Sequence, residues 1–460
     1  MLATARRDAA GHPQRHGHGA RAAHTRDGRS FGRSCPRTGH RRRPRSSAPA
    51  PGYRLFDLPT RPGATYELHY SLGVTEEYTD NFNLTKTDKE SNFRTLISPG
   101  VTLLINAART RGQLSFTPSF SYDSSNDDTN LFLAFSGSVV WVATPFFTLT
   151  AADTLNLSDD YLTAGSLSLR RERNKYISNV FSLYGDYRRD TLSVSPYYVL
   201  STFFDDGGDD TISNSVGVTL GKTFLIRNTA TVGYEYLNSD TSDDGDDVSG
   251  HQMTLSLAHQ LNAQTAVGLS GSYAHRYVSG GGLPGSDEYY IVTVSAFGSY
   301  TVHGIWSASA STGYSWLKAN DVSPRVPTES ESLPFVSAQV SYFALPRTVL
   351  TLSGHSGFSE SFSRGENFGV VQTYGVAGTV SYALTPLVGA FASAYWNQNQ
   401  ETGIGGGVSG DPEETYGVRT GLSYQALRWL SLGLTYTYTH ALGDDGFTEN
   451  RVTATATASF

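Results

Sequence analysis

The sequence contains one cysteine, Cys35, in 460 residues, together with two methionines and five lysines. A single thiol cannot form an intramolecular disulfide, and it cannot supply a metal site that needs several cysteine ligands. No run of eighteen apolar residues occurs, and only 38% of the residues are hydrophobic. These absences exclude a helical membrane protein, and the scarcity of helix-forming residues disfavours a soluble helical fold.

The first fifty residues also lack apolar periodicity and almost all acidic groups. They contain twelve arginines against Asp8 and Asp27, a net charge of +10, so the total of −7 leaves −17 for residues 51–460. No apolar stretch in this segment resembles the core of a signal peptide. We expect residues 1–60 to be a disordered, Arg-rich segment created by a misassigned start that replaces the signal peptide. A basic arm that binds nucleic acid or anionic lipid is the alternative, and we expect no nucleic-acid partner.

From Tyr66 onward the chain consists of segments in which apolar and polar residues alternate. In Leu430–His440, leucines and tyrosines occupy the even positions from 430 to 438, and Ser, Gly and Thr occupy the odd ones. This period of two is typical of β-strands that turn one face to lipid and the other to water. We identify twenty such segments, which begin near Tyr66, Ser91, Gly112, Thr129, Phe146, Lys175, Thr191, Thr211, Asn228, Gly250, Thr265, Glu288, Gly304, Leu333, Thr348, Val370, Leu387, Thr415, Leu430 and Asn450.

The connections between these segments alternate between short and long. Residues 143–145 and 385–386 form short connections, whereas residues 80–90 form a long one. A barrel with short periplasmic turns and long extracellular loops predicts this alternation, and it places both chain ends in the periplasm. We therefore predict an all-β fold for residues 61–460, a single transmembrane up-and-down antiparallel β-barrel of about twenty strands. Eighteen or twenty-two strands stay open, because residues 161–170 also alternate.

Acidic residues gather in the predicted long loops, and arginines gather at the predicted short turns. The densest acidic run supplies five weak candidate ligands for a divalent cation: Asp240, Asp243, Asp244, Asp246 and Asp247. The run lacks the spacing and the closing glutamate of a twelve-residue calcium loop, so we assign no metal and no cofactor. An acidic rim can recruit divalent cations that bridge to lipid phosphates, or it can favour cations and neutral solutes. Solvated loop tips that discourage aggregation are the simpler interpretation.

The alternation also predicts which charged side chains face the barrel interior. These are Glu67, Glu77, Arg94, Asp186, Glu235, Arg276 and Arg419. Such sparse charges line a wide pore or anchor an inward-folded loop, and the alternative for each is a solvated wall charge without a dedicated role. The seven histidines of residues 51–460 are scattered over different segments, and no nucleophile elbow, zinc helix or phosphate-binding loop is present in a matching context. We therefore predict that the protein is not an enzyme.

Two adjacent stretches resemble a known family. Residues 71–84 read SLGVTEEYTDNFNL, and residues 88–98 read DKESNFRTLIS before Pro99, Gly100 and Val101. This pattern resembles the opening strands of a family of porin-like outer-membrane β-barrels associated with exopolysaccharide loci and the PEP-CTERM/exosortase system. The resemblance implies a cell outer-membrane location in a Gram-negative envelope and a link to polysaccharide export or surface display. It carries no catalytic residues.

Three functions remain open. The first is a porin-like channel for polar solutes or polysaccharide, and the second is a non-conducting docking barrel that anchors a surface or polysaccharide-assembly machinery. The third is a surface enzyme or adhesin, whose catalytic version the scattered histidines oppose. The expected partners are outer-membrane lipid and lipopolysaccharide, the barrel-assembly machinery and components of exopolysaccharide export. Phe460, a terminal aromatic on the apolar face of the last segment, resembles the signal that the assembly machinery recognises.

Overall fold

The computed structural model describes residues 64–160, 173–206, 210–242, 246–280, 286–302, 304–320, 330–343, 347–361, 369–402, 412–443 and 446–460. These residues contain twenty β-strands and no helix. Within them, no helix is long and apolar enough to span a membrane. The predicted Arg-rich segment of residues 1–60 and the ambiguous stretch of residues 161–170 lie outside the described residues.

The strands are long and follow one another along the chain. The first ten are β1 Thr65–Thr79, β2 Asn92–Asn106, β3 Thr110–Asp123, β4 Asp128–Thr144, β5 Phe147–Ser158, β6 Tyr176–Arg189, β7 Leu192–Asp205, β8 Thr211–Phe224, β9 Asn228–Thr241 and β10 Asp246–Gln260. The other ten are β11 Thr265–Gly280, β12 Ser286–Val302, β13 Trp306–Asn320, β14 Ser330–Tyr342, β15 Thr348–Ser361, β16 Gly369–Ala383, β17 Val388–Glu401, β18 Glu413–Leu427, β19 Leu430–Leu442 and β20 Phe447–Ser459.

The sheet is closed. Each strand pairs antiparallel with the next in sequence, and the last strand returns to the first through a register that runs from Ser71 opposite Ser459 to Thr79 opposite Arg451. Tyr70 and Phe460 exchange two backbone hydrogen bonds, of 3.1 and 2.8 Å, at the end of this seam. Closure leaves no edge strand, which is the condition for placing a sheet in a membrane. The predicted twenty-stranded antiparallel barrel is confirmed.

The two ends of the barrel differ in their connections. At one end, the short-turn end, β4 joins β5 through residues 145–146 and β6 joins β7 through residues 190–191. At the other, the long-loop end, residues 80–91 join β1 to β2. Three connections at the long-loop end nevertheless have only four residues, because strand pairing continues into acidic segments for which the sequence predicts loops. They are residues 124–127, 242–245 and 443–446.

The outer surface of the barrel is an apolar band. Leu255, Leu269, Val294, Leu352 and Leu422 each leave more than half of their surface exposed. Aromatic residues flank this band at the short-turn end, as Trp141, Tyr300, Trp306, Tyr424 and Trp429, and towards the long-loop end, as Tyr236, Tyr277, Trp316, Tyr416 and Tyr436. An apolar band between two aromatic belts is the outer surface of a membrane-spanning barrel.

Asp153 interrupts this band. It pairs with Gly137 and Phe181 on the outward face, and it lies at the middle of β5, where its carboxylate accepts a 2.7 Å hydrogen bond from the side-chain amide of Asn179. Other outward carboxylates, such as Glu76, Asp240, Glu288 and Glu414, lie within a few residues of the long-loop end.

A lipid-facing carboxylate at mid-strand is expected to cost stability, because hydrocarbon does not solvate it. Replacing Asp153 and Asn179 together with leucine should raise the free energy of unfolding from lipid vesicles by roughly 1–2 kcal/mol. Denaturant titration monitored by tryptophan fluorescence measures this change. A matched pair of serine-to-leucine replacements on the inner face, at Ser309 and Ser311, should give no such gain. A loss of stability in the Asp153 variant would show that this face does not contact lipid.

Candidate functional site in the barrel interior

Contacts between strands that are not neighbours identify the inner face. Arg94 of β2 donates a 2.7 Å hydrogen bond to Asp159, which follows β5, and Arg173, which precedes β6, donates a 2.7 Å hydrogen bond to Glu449 of β20. In a closed sheet, such side chains meet through the interior. The inner face defined in this way carries the Ser, Thr and Gly positions of the alternating segments.

The inner face is packed near the long-loop end and open to water towards the short turns. On β14, Leu333 and Phe335 are buried, whereas Ser337 and Gln339, further along the same face, are exposed. On β13, Leu317 is fully buried and Ser309 is exposed. The interior therefore consists of a wet half at the short-turn end and a packed mouth at the long-loop end.

The first part of the packed mouth is built around Arg94. Its guanidinium donates to Asp123 through Nε at 2.7 Å and to Asp159 through Nη2 at 2.7 Å. The Asn92 side-chain amide donates a further 2.7 Å hydrogen bond to Asp123. Arg94 is only 5% exposed, so these charge-assisted bonds form in a region of low dielectric, where the pairing must offset the cost of desolvation.

A second group of charges continues this network on β20. Glu449 accepts hydrogen bonds from the Thr79 hydroxyl at 2.8 Å and from Arg173 Nη2 at 2.7 Å. Arg451 pairs with Glu449 at 3.1 Å and approaches Asp160 at 3.4 Å and Glu77 at 3.9 Å. We call these groups the arginine network: Arg94, Arg173 and Arg451 with Glu77, Asp123, Asp159, Asp160 and Glu449. It joins strands on both sides of the seam where the barrel closes.

The motif that resembles the outer-membrane family fixes the first loop to this network. The Asp80 carboxylate accepts hydrogen bonds from the backbone and the side chain of Asn450, at 2.7 and 2.6 Å. Asn81 is fully buried and donates to the carbonyl of Thr448 at 3.0 Å. The Phe82 ring then lies against two guanidinium groups, 5.2 Å from Arg94 and 4.9 Å from Arg173. The motif therefore seats the loop against β20 and the arginine network.

The opposite part of the mouth is apolar. Its buried side chains come from β10 to β16 and comprise Val248, Ala274, Val278, Tyr289, Ile291, Leu317, Ala319, Leu333, Phe358 and Val370. Arg276 and Glu360 form an ion pair beside this cluster, and the Tyr289 hydroxyl donates to Glu360 at 3.0 Å. A bidentate arginine pair next to close-packed apolar side chains holds the strands from β11 to β15 in one arrangement.

The remaining predicted interior charges lie apart from one another. Glu235 accepts a short hydrogen bond from the Tyr197 hydroxyl. Arg419 is exposed and lies 5.6 Å from the centre of the Phe391 ring. Glu67 lies 3.7 Å from His69, and Asp186 accepts a 3.0 Å hydrogen bond from Arg188, both near the short-turn end. The structure thus brings Glu77 and Arg94 to the arginine network and Arg276 to the apolar cluster, and it leaves the other four separate.

The five candidate cation ligands lie in the four-residue connection between β9 and β10 or in the strand ends beside it. Asp240 ends up in β9, where it accepts a 2.9 Å hydrogen bond from Asn238, and Asp247 in β10 accepts one of 2.9 Å from the backbone of Thr241. Asp243, Asp244 and the side chain of Asp246 lie outside the described residues. Among the described residues, no three His, Cys, Asp or Glu side chains are grouped so that they could hold a metal ion.

Several interior groups were not recognisable as such from the sequence. Asp123, Glu360 and Glu449 fall in or beside segments for which the sequence predicts loops, although the structure extends the strands through them. The alternation that puts Ser119 and Ser121 on the inner face extends to Asp123 and is the signal in the sequence for its position. No pattern in the sequence predicts that Leu317 is buried. A single apolar residue among the polar residues of the inner face does not show which side chains it contacts.

No family model matches the chain, and no curated protein sequence matches it. Solved structures that resemble it include a mutant of the ferric enterobactin receptor PfeA from Pseudomonas aeruginosa, with 12% identity and a TM-score of 0.47 over 86% of this chain and 81% of the receptor. OccK2 (OpdF) from the same organism has 11% identity and a TM-score of 0.40, covering 86% and 98%. The outer-membrane protein OpdK has 10% identity and a TM-score of 0.39, covering 86% and 99%. The function of this chain therefore has to follow from its own geometry.

Proposed function

We propose that the chain is a porin-like barrel of the bacterial outer membrane that conducts polar solutes. The observation that carries this proposal is the wet half of the interior, whose wall is polar and exposed at positions such as Ser299, Ser309, Ser337 and Gln339, inside an outer surface that is apolar. Twenty strands enclose a lumen wide enough for water unless side chains or loops fill it. Solutes would enter and leave through the mouth, between or beside the arginine network and the apolar cluster.

The orientation belongs to the same proposal. The described chain ends, β1 and β20, start and finish at the short-turn end, which is the periplasmic end in barrels of this type. The long-loop end with its packed mouth would then face the outside of the cell. Outer-membrane lipid and lipopolysaccharide would contact the apolar band, and the barrel-assembly machinery would insert the chain. The resemblance of residues 71–101 supports a link to exopolysaccharide export.

Transport is proposed over catalysis because the described interior charges are held in ion pairs or lie apart. Arg94, Arg276 and Arg451 each contact a carboxylate within 4 Å. A hydrolase would instead need a nucleophile, a base and an orienting group in mutual hydrogen-bonding contact.

The second candidate is a non-conducting docking barrel. The packed mouth favours it, because buried side chains at the long-loop end restrict the passage. Such a barrel would anchor components of a surface or polysaccharide-assembly machinery.

Conductance in planar lipid bilayers separates the two candidates. A channel should give discrete current steps from purified protein, and narrowing the wet half with Ser309→Trp should reduce each step. Ala310→Trp on the adjacent outward position is the matched control and should leave the steps unchanged. Membranes that contain inserted barrel but show no steps would reject the channel in favour of the docking barrel.

A further inference from the structure

Aromatic rings lie flat against the inner wall on β17. Tyr395 lies over Gly417 of β18, and Phe391 lies over Gly421, so that a methyl group added at either glycine would overlap the ring. The two glycines therefore leave room for each ring to lie against the wall. The guanidinium of Arg419 lies over the Phe391 ring, 5.6 Å from its centre. Both rings belong to the inner face. Their register partners, Gly421 and Gly417, are adjacent in β18 to Leu422 and Val418, which face outward, so the two glycines and the rings opposite them face inward.

Arg419 lies between these two rings. It pairs with Ser393 in the strand register, which places it midway between Phe391 and Tyr395 on the wall. Arg94, Arg276 and Arg451 are ion-paired, whereas Arg419 pairs with no carboxylate of the described residues. Its side chain is exposed, so its guanidinium donors are available to a solute in the lumen.

The spacing suits an extended, ring-containing ligand. Four residues of a strand separate Phe391 from Tyr395, a distance of roughly 13 Å along the wall. A pyranose ring has an apolar face of C–H groups that packs on an aromatic ring, and its hydroxyl groups bond to nearby polar side chains. A planar guanidinium recognises a carboxylate through two parallel hydrogen bonds. Rings and guanidinium together match an oligosaccharide that carries carboxylates.

We propose that this shelf, made of Phe391, Ser393, Tyr395 and Arg419, binds an acidic oligosaccharide. A uronate carboxylate pairs with Arg419, whose guanidinium lies over the Phe391 ring, and a neighbouring pyranose ring stacks on Tyr395. This proposal rests on the proposed function in one respect, because the saccharide can reach the shelf only if the interior is filled with water.

Two other aromatic rings lie over glycines on the inner wall, but in the described part of the chain neither has a neighbouring arginine that could bind a carboxylate. Tyr197 lies over Gly217, but its hydroxyl is bonded to Glu235, which repels an anionic saccharide. Phe297 lies over Gly268, and no guanidinium of the described residues lies against its ring. Phe297 therefore provides a matched control for the loss of a ring from the wall.

Calorimetric titration of the full chain in detergent micelles tests the shelf. Tri-galacturonate is the acidic probe, maltotriose is the neutral probe, and acetate reports a site for any small carboxylate. The acidic trimer should bind and maltotriose should bind at least tenfold more weakly. Arg419→Gln should lower affinity for the acidic trimer at least tenfold, and Phe391→Ala or Tyr395→Ala should lower it several-fold. Phe297→Ala should leave it unchanged.

Other outcomes would overturn the shelf. Retained affinity in Arg419→Gln, an equal loss in Phe297→Ala, or acetate binding as tight as that of the trimer would each do so. The heat-dependent gel mobility of each variant checks that the barrel is folded. Because binding is measured without current, conductance steps without saccharide binding reject the shelf alone, whereas binding without steps rejects the channel and supports the shelf.

Discussion

Replacing Arg94 with methionine is expected to lower the free energy of unfolding by about 3–5 kcal/mol. The guanidinium is 5% exposed and compensates two carboxylates, Asp123 and Asp159, at 2.7 Å each. Without it, two buried negative charges face each other in the packed mouth, and the neutral donors left to Asp123 are the side-chain amides of Asn92 and Asn130. Denaturant unfolding from lipid vesicles, followed by tryptophan fluorescence, measures the loss.

Arg188→Met provides the matched control for this prediction. Arg188 forms a 3.0 Å ion pair with Asp186, but its side chain is 78% exposed. Exposed pairs contribute little, so the control should change stability by less than about 1 kcal/mol. Similar losses in the two variants would contradict a desolvated arginine network and indicate that water fills the mouth.

Removal of Phe460 is expected to reduce the amount of inserted barrel several-fold while leaving the conductance of each inserted barrel unchanged. Phe460 exchanges hydrogen bonds with Tyr70 at the closing seam, and its ring stacks on Trp429 at 6.1 Å in the aromatic belt. The ring is 69% exposed on the outer surface, far from the packed mouth. Quantifying the folded protein in outer-membrane fractions and recording single-barrel currents measures both effects.

Phe146→Ala is the control for the terminal aromatic. Phe146 is an exposed aromatic residue at the short-turn end, 51% exposed, but it lies within a turn and not at the seam. Its replacement should leave the inserted amount close to that of the unmodified chain. Full insertion after removal of Phe460 would mean that the assembly signal lies in the strand pattern alone.

The strand pattern was predictable because the outward face of most strands is apolar and much of the inner face is polar. In β19, Leu430, Leu432 and Leu434 face outward, and their alternation with Ser431 and Gly433 specifies both the strand and its inward face. The strands begin within a few residues of the predicted positions. Thr211, Asn228, Thr265, Thr348 and Leu430 begin strands where the alternation starts.

The packed mouth was not predictable in the same way. A period of two indicates which face a side chain occupies, but it does not show whether that face meets water or another strand across the interior. Tyr289 of β12 and Val370 of β16 lie on strands that do not pair with each other, and they belong to one buried cluster because the wall curves around the interior. The arginine network likewise joins residues far apart in sequence, such as Arg94 with Asp159 and Arg173 with Glu449. Asp153 was also not predictable as an outward residue. The outward face is recognised by its apolar residues, and a carboxylate on that face breaks the alternation.

Thiol labelling along β14 in lipid nanodiscs tests the two environments of the barrel most directly. Single cysteines are introduced into a chain with Cys35→Ser, and a charged, membrane-impermeant maleimide is added. Ser337→Cys and Gln339→Cys, on the wet half of the inner face, should label rapidly. Val336→Cys and Val340→Cys on the outer face should resist labelling because lipid covers them, and Leu333→Cys should resist because it is packed in the mouth. Equal labelling of Val336→Cys and Ser337→Cys would contradict a membrane-embedded barrel with an aqueous interior.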